Sequence, residues 1–331
     1  SEAGKSFHIR ALDAGRQWEA RVARDLSDVV FDQVFPLLVR ALPAHDKAKP
    51  PTIDDAYVEE VRSSALMLLY RLLFILYAED RNLLPDERGP YAECALTRVR
   101  HDIAERKADD RKFIGSSFTI WSRLETIFNA IANGSNELGI PPYNGGLFDL
   151  TNAPLLGRMH LPDTVIGEVV WLLSHRPDTR GPKYINYRDL TVQQLGSIYE
   201  SILEYAVEPD GAGGVQPRSD NTARHRSGSY YTPEDLVALI IDRAVGPLVV
   251  ERTTAFTEAV AAGTTGTALT ALDPASRLLD LKIVDPAMGS GHFLVSLVDW
   301  LSDRVLAAIA DAEKALPGYS SPLLAQIETL R

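Results

Sequence analysis

The residues with the clearest capacity for chemistry lie in one run, Lys282-Ile283-Val284-Asp285-Pro286-Ala287-Met288-Gly289-Ser290-Gly291-His292-Phe293-Leu294. Two β-branched apolar residues, Ile283 and Val284, lead straight into an acid and a glycine turn. Behind the turn Phe293, Leu294, Leu297, Val298, Leu301 and Val305 recur at helical spacing, as on the buried face of a helix. The expected local structure is strand, turn, helix. That is the first unit of a nucleotide-binding α/β sheet, in which ligands sit beyond the carboxyl end of the strand. Gly289 and Gly291 let the backbone approach a ligand closely and take dihedrals closed to other residues.

The spacing decides between ligand classes. A phosphate-cradling P-loop needs Gly-Lys-Ser/Thr at the helix start, and His292 and Phe293 stand there instead. A dinucleotide turn needs a third glycine, and Leu294 occupies that position. What remains is the S-adenosylmethionine (SAM) class, with an acid immediately before Gly-x-Gly. Its ligand carries a sulfonium and an amino-acid end rather than a pyrophosphate, and an acid at the strand end suits the ammonium.

A second motif precedes it: Gly228-Ser229-Tyr230-Tyr231-Thr232-Pro233-Glu234-Asp235. Thr232 is a good helix N-cap, Pro233 suits the first helical position, and Asp235 completes an approximate capping box. The helix is expected to continue through Leu236, Leu239, Ile240, Ala244 and Leu248. By itself this is a well-capped helix. Two tyrosines just ahead of a rigid helix start can also wall a flat or cationic ligand.

GSYYTP followed some way on by DPAMGSGHFL resembles the amino-terminal part of the catalytic module of adenine-specific DNA methyltransferases. The likeness is to large type IIG restriction–modification enzymes and to phage-defence methylases of BREX-like and DISARM-like systems. The upstream phrases RLLFILYAEDRNLLP, NGGLFD and LGSIYESILEY are similar to the helical segment that precedes the module. The resemblance thus runs from about residue 66 to 310, with specific motifs only at 228–233 and 285–294. It implies that Tyr231, Thr232 and Pro233 line one side of a SAM site. Asp285, Pro286, Ala287, Gly289, Ser290 and Gly291 would form its floor, with Phe293 packing nearby. Met288 stands where many relatives carry Cys. Backbone amides act at that turn, so little should follow.

The resemblance also implies a base-reading tetrad, Asn/Asp/Ser-Pro-Pro-Tyr/Phe, well after the SAM turn. In such enzymes it engages an adenine extruded from the duplex, since the target atom is otherwise held in the stack. The sequence holds no such tetrad there. Ile140-Pro141-Pro142-Tyr143 has isoleucine where the hydrogen-bonding residue must be, lies upstream, and reads as a loop. No catalytic residue is therefore assigned. The expectation is the front of a longer methyltransferase, inactive by itself and a weak SAM binder at best. A SAM-dependent RNA or protein methyltransferase, or a non-catalytic helical interaction module with a SAM-responsive site, are the alternatives. Pro85-Asp86 with Glu105-Arg106-Lys107 fits a loose metal-nuclease pattern. That chemistry wants both acids at strand ends around a metal ion, whereas the second element lies in a charged, helix-like run. The seven histidines show no transition-metal spacing, and no metal site is expected.

The elements that must position these residues follow from periodicity. Trp18, Val22, Leu26, Val29, Val30 and Val34 mark a first helix that Pro36 should end or kink. A second is expected over 53–83, closed by Pro85, and a third over 117–133, stopped by Gly134. After the loop GSNELGIPPYNGGLFDL another starts near Asp163. Thr191 and Gln194 form a capping box ahead of the stripe Leu195, Ile198, Tyr199, Ile202, Leu203 and Ala206. No strand is expected before residue 280. Residues 208–227 are rich in Gly, Pro, Ser and Asn, with Arg218, Arg224 and Arg226, and read as a solvated linker or mobile loop.

The fold expectation is thus a mainly α domain over 1–207, a linker over 208–227, and an incomplete α/β Rossmann-like SAM-dependent methyltransferase domain over 228–331. Composition sets the outer bounds. The 331 residues are 45% hydrophobic and 24% charged, which excludes a disordered chain. With 34 Lys and Arg against 45 Asp and Glu the net charge is -11, so no general basic coat exists and DNA contacts must be local or made by other regions. Defence-system proteins are possible partners by the same resemblance. The single cysteine, Cys94, excludes a disulfide framework and fits a reducing cytoplasm. The apolar run from Ala65 to Ala78 is shorter than the ~20 residues a bilayer span takes and is interrupted by Arg71, so a core helix rather than a membrane contact is expected.

Overall fold

The computed structural model describes residues 15, 21–85, 89–143, 146–176, 181–191, 194–196, 198, 206–218, 232, 234–288 and 291–324. The chain divides into two compact units, Ser1–Gly228 and Ser229–Arg331.

The first unit is helical, as its periodicity requires. Residues 21–29 (α1) run through a π-helical stretch, Val30–Val34, into α2 (Phe35–His45). Pro36 does not end the helix. Its ring would clash with the carbonyl one turn back. The backbone widens by one residue, with the Phe35 amide bonding the Val30 carbonyl, and Pro36 sits in the first turn of α2. The centre of the unit is α3 (Asp55–Asp80), capped by the Asp54 carboxylate, which accepts from the Tyr57 amide at 2.8 Å. Its Val61, Ala65, Leu68, Leu69, Leu72, Ile75 and Leu76 are fully buried. The helix ends ahead of Pro85, because Asn82 turns left-handed at φ 56°. Asparagine tolerates that region better than other non-glycine residues. Among the described residues α3 alone is long and apolar enough to cross a membrane, and most of it is buried inside the unit.

Around α3 pack α4 (Leu96–Ala108), α5 (Thr119–Asn133) and α6 (Asp163–Ser174). Gly134 stops α5 at φ 77°, where a Cβ would also press on Pro142. The Thr191–Gln194 capping box is present: Thr191 N donates to Gln194 Oε1 at 2.9 Å, and Gln194 N to Thr191 Oγ1 at 3.1 Å. Of the helix behind it, residues 194–196 and 198 are described as helical, and Ile198 is buried.

Two small antiparallel hairpins depart from the all-helical expectation. Strands β1 (His175–Arg176) and β2 (Lys183–Tyr184) pair His175 with Tyr184. Strands β3 (Val207–Pro209) and β4 (Val215–Pro217) pair Val207 with Pro217. The second hairpin occupies the front of the stretch read as a linker. Val215 is buried in the core of the unit, Asp210 Oδ1 accepts from the Ala212 and Gly214 amides, and Lys49 Nζ donates to the Gly213 carbonyl. Residues 219–227 of that stretch lie outside the described residues.

The second unit is a small helical layer: α7 (Glu234–Ala261), a one-turn helix at Gly266–Thr270, α8 (Pro274–Leu279) and α9 (His292–Ala315). Buried Asp273 ties its turns together, accepting from Ser276 N, Ser276 Oγ, Tyr319 Oη and Ser321 Oγ. The helix through Leu236, Leu239, Ile240, Ala244 and Leu248 is present, and the buried face expected of α9 needs correction at Val298. Val237, Ile241 and Val245 are buried on α7, while Leu236, Leu239, Ile240, Ala244 and Leu248 are exposed. On α9 Leu297 and Val305 are buried, Phe293, Leu294 and Leu301 are half-buried, and Val298 is exposed. Helical spacing fixes that a stripe exists, and the neighbour decides which side of a broad stripe is covered.

Candidate functional site

The glycine turn opens α9 with a specific geometry. Asp285 is half-buried, and its Oδ1 accepts from the Ala287 amide at 3.0 Å. This bond folds Pro286 and Ala287 into a turn, and a carboxylate has a second oxygen able to accept from a ligand. Gly291 N donates to the Met288 carbonyl at 2.9 Å, and Gly291 itself has φ 82°, the left-handed region that favours glycine. Its carbonyl takes the first helical bond, from Val295 N at 2.9 Å. Pro286, Ala287 and Met288 are exposed along the turn. The arrangement offers a carboxylate and accessible backbone at a helix start, a setting suited to a zwitterionic ligand with a cationic end.

The strand expected before the turn is not there. Residues 281–285 form no ladder, Val284 is 83% exposed and Ile283 39%. A strand exists only through its partner, and among the described residues of this unit no strand offers one. Among its described residues the unit thus shows helices and the glycine turn, and not the α/β sheet expected there.

The structure brings the two motifs' helices together. Val237 and Ile241, early in the helix that follows Thr232, share one apolar cluster with Leu297, Phe293 and Leu294 of the helix that follows Gly291. Phe293 thus packs in the cluster between the two helices. Thr232 is half-buried and precedes the helix. Tyr231, Pro233, Gly289 and Ser290 lie outside the described residues.

Two of the upstream phrases, RLLFILYAED and NGGLFD, meet in the first unit through buried charge that periodicity did not single out. Arg71, the interruption in the apolar run of α3, is 1% exposed. It donates from Nε to the Leu147 carbonyl at 2.8 Å and from a terminal nitrogen to the Asp149 carbonyl at 3.1 Å, between the rings of Phe128 and Phe148. Burial lowers this guanidinium to about 10, with the Asp149 charge opposing, so it stays charged at neutral pH. RLLFILYAED is thereby tied to NGGLFD. At the end of α3, Asp80 pairs with Arg100 at 2.7 Å and accepts from the Tyr187 amide at 2.8 Å. Burial alone would lower Arg100, yet the Asp80 bond and the Tyr184 and Asp80 charges outweigh it and hold the group above its usual range. Glu79 caps α4 from a distance, accepting from Leu96 N, Thr97 N, Thr97 Oγ1 and Tyr91 Oη. The arginine inside an apolar helix was the one visible signal for this network.

The look-alike motifs are structural. Ile140 is buried and exchanges backbone bonds with Ser135, while Tyr143 Oη donates to the Leu83 carbonyl. Glu105 and Lys107 lie on α4, and Lys107 pairs with Glu168. Asp86 lies outside the described residues. Among the described residues no group of three potential ligands is placed to hold a metal ion.

Comparison with known proteins adds one relative. The chain is 25% identical, in an alignment of 269 residues that covers 70% of the chain, to a protein of Methanocaldococcus jannaschii that carries the provisional name type II restriction enzyme and methyltransferase. It spans 20% of that relative. No family model and no solved structure matches the chain.

Proposed function

We propose that the chain is a cofactor-holding part of a DNA adenine N6-methyltransferase acting in restriction–modification or phage defence in the cytoplasm, alongside other defence proteins. The observation that carries the reading is the Asp285 turn, in which the carboxylate accepts from the Ala287 amide, leading through left-handed Gly291 into α9. Its support is the named activity of the relative, of which this chain covers one fifth. SAM, when bound, would supply an electrophilic methyl on a sulfonium. The residues present fit such a ligand. Asp285 would accept from its ammonium, the turn from Pro286 to Gly291 would run close along it, and Phe293 would back the turn from the α9 side. Tyr231, Thr232 and Pro233 would close the opposite side.

The reading assigns this chain a binding and orienting part and no proton-moving or base-reading residue. It therefore separates cofactor binding from methyl transfer. Saturation-transfer NMR of SAM with the 331-residue chain should show contact from the adenosine and methionine protons, lost in Asp285→Asn and in Gly289→Val. Tritiated SAM should leave no label on adenine in duplex DNA. SAM contact that persists in both variants, or methyl incorporation into DNA by the chain alone, overturns the assignment.

A further inference from the structure

We propose that the Met288 thioether is an oxidation site on the glycine turn, and that its conversion to the sulfoxide shuts the turn to a cofactor. The second half rests on the reading of this turn as a SAM site.

The sulfur atoms of the chain are few enough to compare one by one: a single cysteine and three methionines. Cys94 is 6% exposed and its Sγ donates to the Tyr91 carbonyl. Burial pushes this thiol above its usual range, which leaves little reactive thiolate. Met159 is 3% exposed in the core of the first unit. Met67 lies on α3, half-buried against the same core. Met288 is 52% exposed. A buried sulfur reacts only through opened states, whose population its local stability keeps small. An oxidant that meets the folded chain therefore finds Met288 first.

The local structure ties this sulfur to the turn. Asp285 Oδ1 accepts from the Ala287 amide, and the Met288 carbonyl accepts from Gly291 N at 2.9 Å, so Met288 stands between the two bonds that shape the turn. Its side chain lies back toward left-handed Gly291: a Cβ at position 291 would stand 3.9 Å from Met288 Cγ. The thioether thus borders the stretch from Pro286 to Gly291 along which SAM would run. As a thioether it is apolar and adapts its shape to a neighbour. As a sulfoxide it carries an added oxygen, polar and hydrated, whose water a ligand must displace at a cost.

The step needs a hydroperoxide as co-reactant. The O–O bond breaks, one oxygen bonds to the sulfur through its lone pair, and the other leaves as water. Sulfur gives up two electrons and the peroxide takes them. Methionine sulfoxide reductases reverse the change. SAM seated along the turn would shield the same sulfur from the oxidant.

The test treats the intact 331-residue chain with hydrogen peroxide, quenches with catalase, and follows each methionine by peptide mass spectrometry. Met288 should oxidise first, at least about tenfold faster than Met159. Excess SAM should slow Met288 and leave Met159 unaffected. Saturation-transfer NMR should show the SAM contact of the untreated chain reduced at least about fivefold after oxidation, and restored by methionine sulfoxide reductases A and B. In Met288→Leu, peroxide should leave that variant's own SAM contact as it was. Oxidation of Met288 no faster than that of Met159 overturns the modification site. Equal SAM contact before and after Met288 is oxidised overturns the block and leaves the SAM reading standing. Absence of SAM contact in the untreated chain overturns the SAM reading and the block with it, and the peptide map still decides whether Met288 is the oxidation site.

Discussion

Arg71→Met is the sharpest test of how the first unit is held together. Methionine matches the length of the arginine stem and fills irregular space, so no cavity of consequence forms between Phe128 and Phe148. What goes are two charge-assisted bonds, at 2.8 Å to Leu147 and 3.1 Å to Asp149. Such bonds are worth about 1.5–3 kcal/mol each. Asp149 is exposed, so water can replace the donor there, whereas the half-buried Leu147 carbonyl is left poorly paired. Removing a buried charge returns part of its desolvation cost. The balance is a loss of about 2–4 kcal/mol. At about 2–4 °C per kcal/mol for a unit of this size, that lowers its melting temperature by about 5–15 °C. Arg71→Lys keeps a charge but not the planar fork, and should lose about half as much. Differential scanning calorimetry reads the shift, and hydrogen exchange over residues 141–152 reads the loop. A methionine variant melting within about 2 °C of the parent with unchanged loop exchange would refute the view that Arg71 pins NGGLFD.

The Asp80–Arg100 pair should behave as a coupled unit. Asp80→Ala strands a guanidinium whose side chain has 0% exposure and should cost about 3–5 kcal/mol, while adding Arg100→Met should recover part of that loss. Urea denaturation of the cycle decides, and a coupling under about 0.5 kcal/mol would count against it. Acid should act through Asp46. Burial alone would raise this carboxyl, but Arg158, the Ala48 amide and the Tyr57 hydroxyl together hold it below the usual range. Its stabilising contribution is present above about pH 3.9 and is lost as pH falls through the lower folded value. Asp46→Asn should therefore flatten the acid limb of the urea midpoint, and an equally steep limb in the variant would contradict this.

Much of the first unit was legible because its signals are local. Gly134 stops α5 by dihedral, the Thr191–Gln194 box closes on itself, and the run from Ala65 to Ala78 is buried as its composition demands. The hairpins were not legible. Strands of two and three residues are too short for alternation to register, and Val215 is buried where its strand packs on α2, far away in sequence. Pro36 was read for what it breaks, yet a single wide turn absorbs it. The pairing of Asp80 with Arg100 joins residues twenty apart on different helices, and no spacing rule reaches that far. The glycine turn lies between these cases. The need for glycine at position 291 was readable from residue type, and the Asx bond of Asp285 was not.

The second unit shows how far a local motif can go without its context. Ile283 and Val284 have the residue types of a strand, but strand structure belongs to a ladder and not to a tetrapeptide. With no partner among the described residues, Ile283 and Val284 form no strand and stay exposed while the turn behind them still forms. The turn can do so because its bonds are internal: Asp285 to Ala287, Gly291 to Met288 and Val295 to Gly291. The helices show the same division. Each of α7 and α9 buries a narrow stripe against the other and leaves Leu236, Leu239, Ile240, Val298 and Leu306 in solvent. An amphipathic helix on an α/β sheet buries a wider face than that. The apolar surplus on both helices and the β-branched pair, which has no strand partner among the described residues, are two features that the proposed α/β reading would account for by a sheet laid against this layer. The proposed methyltransferase reading supplies a reason for both features at once, which a free-standing helical module does not.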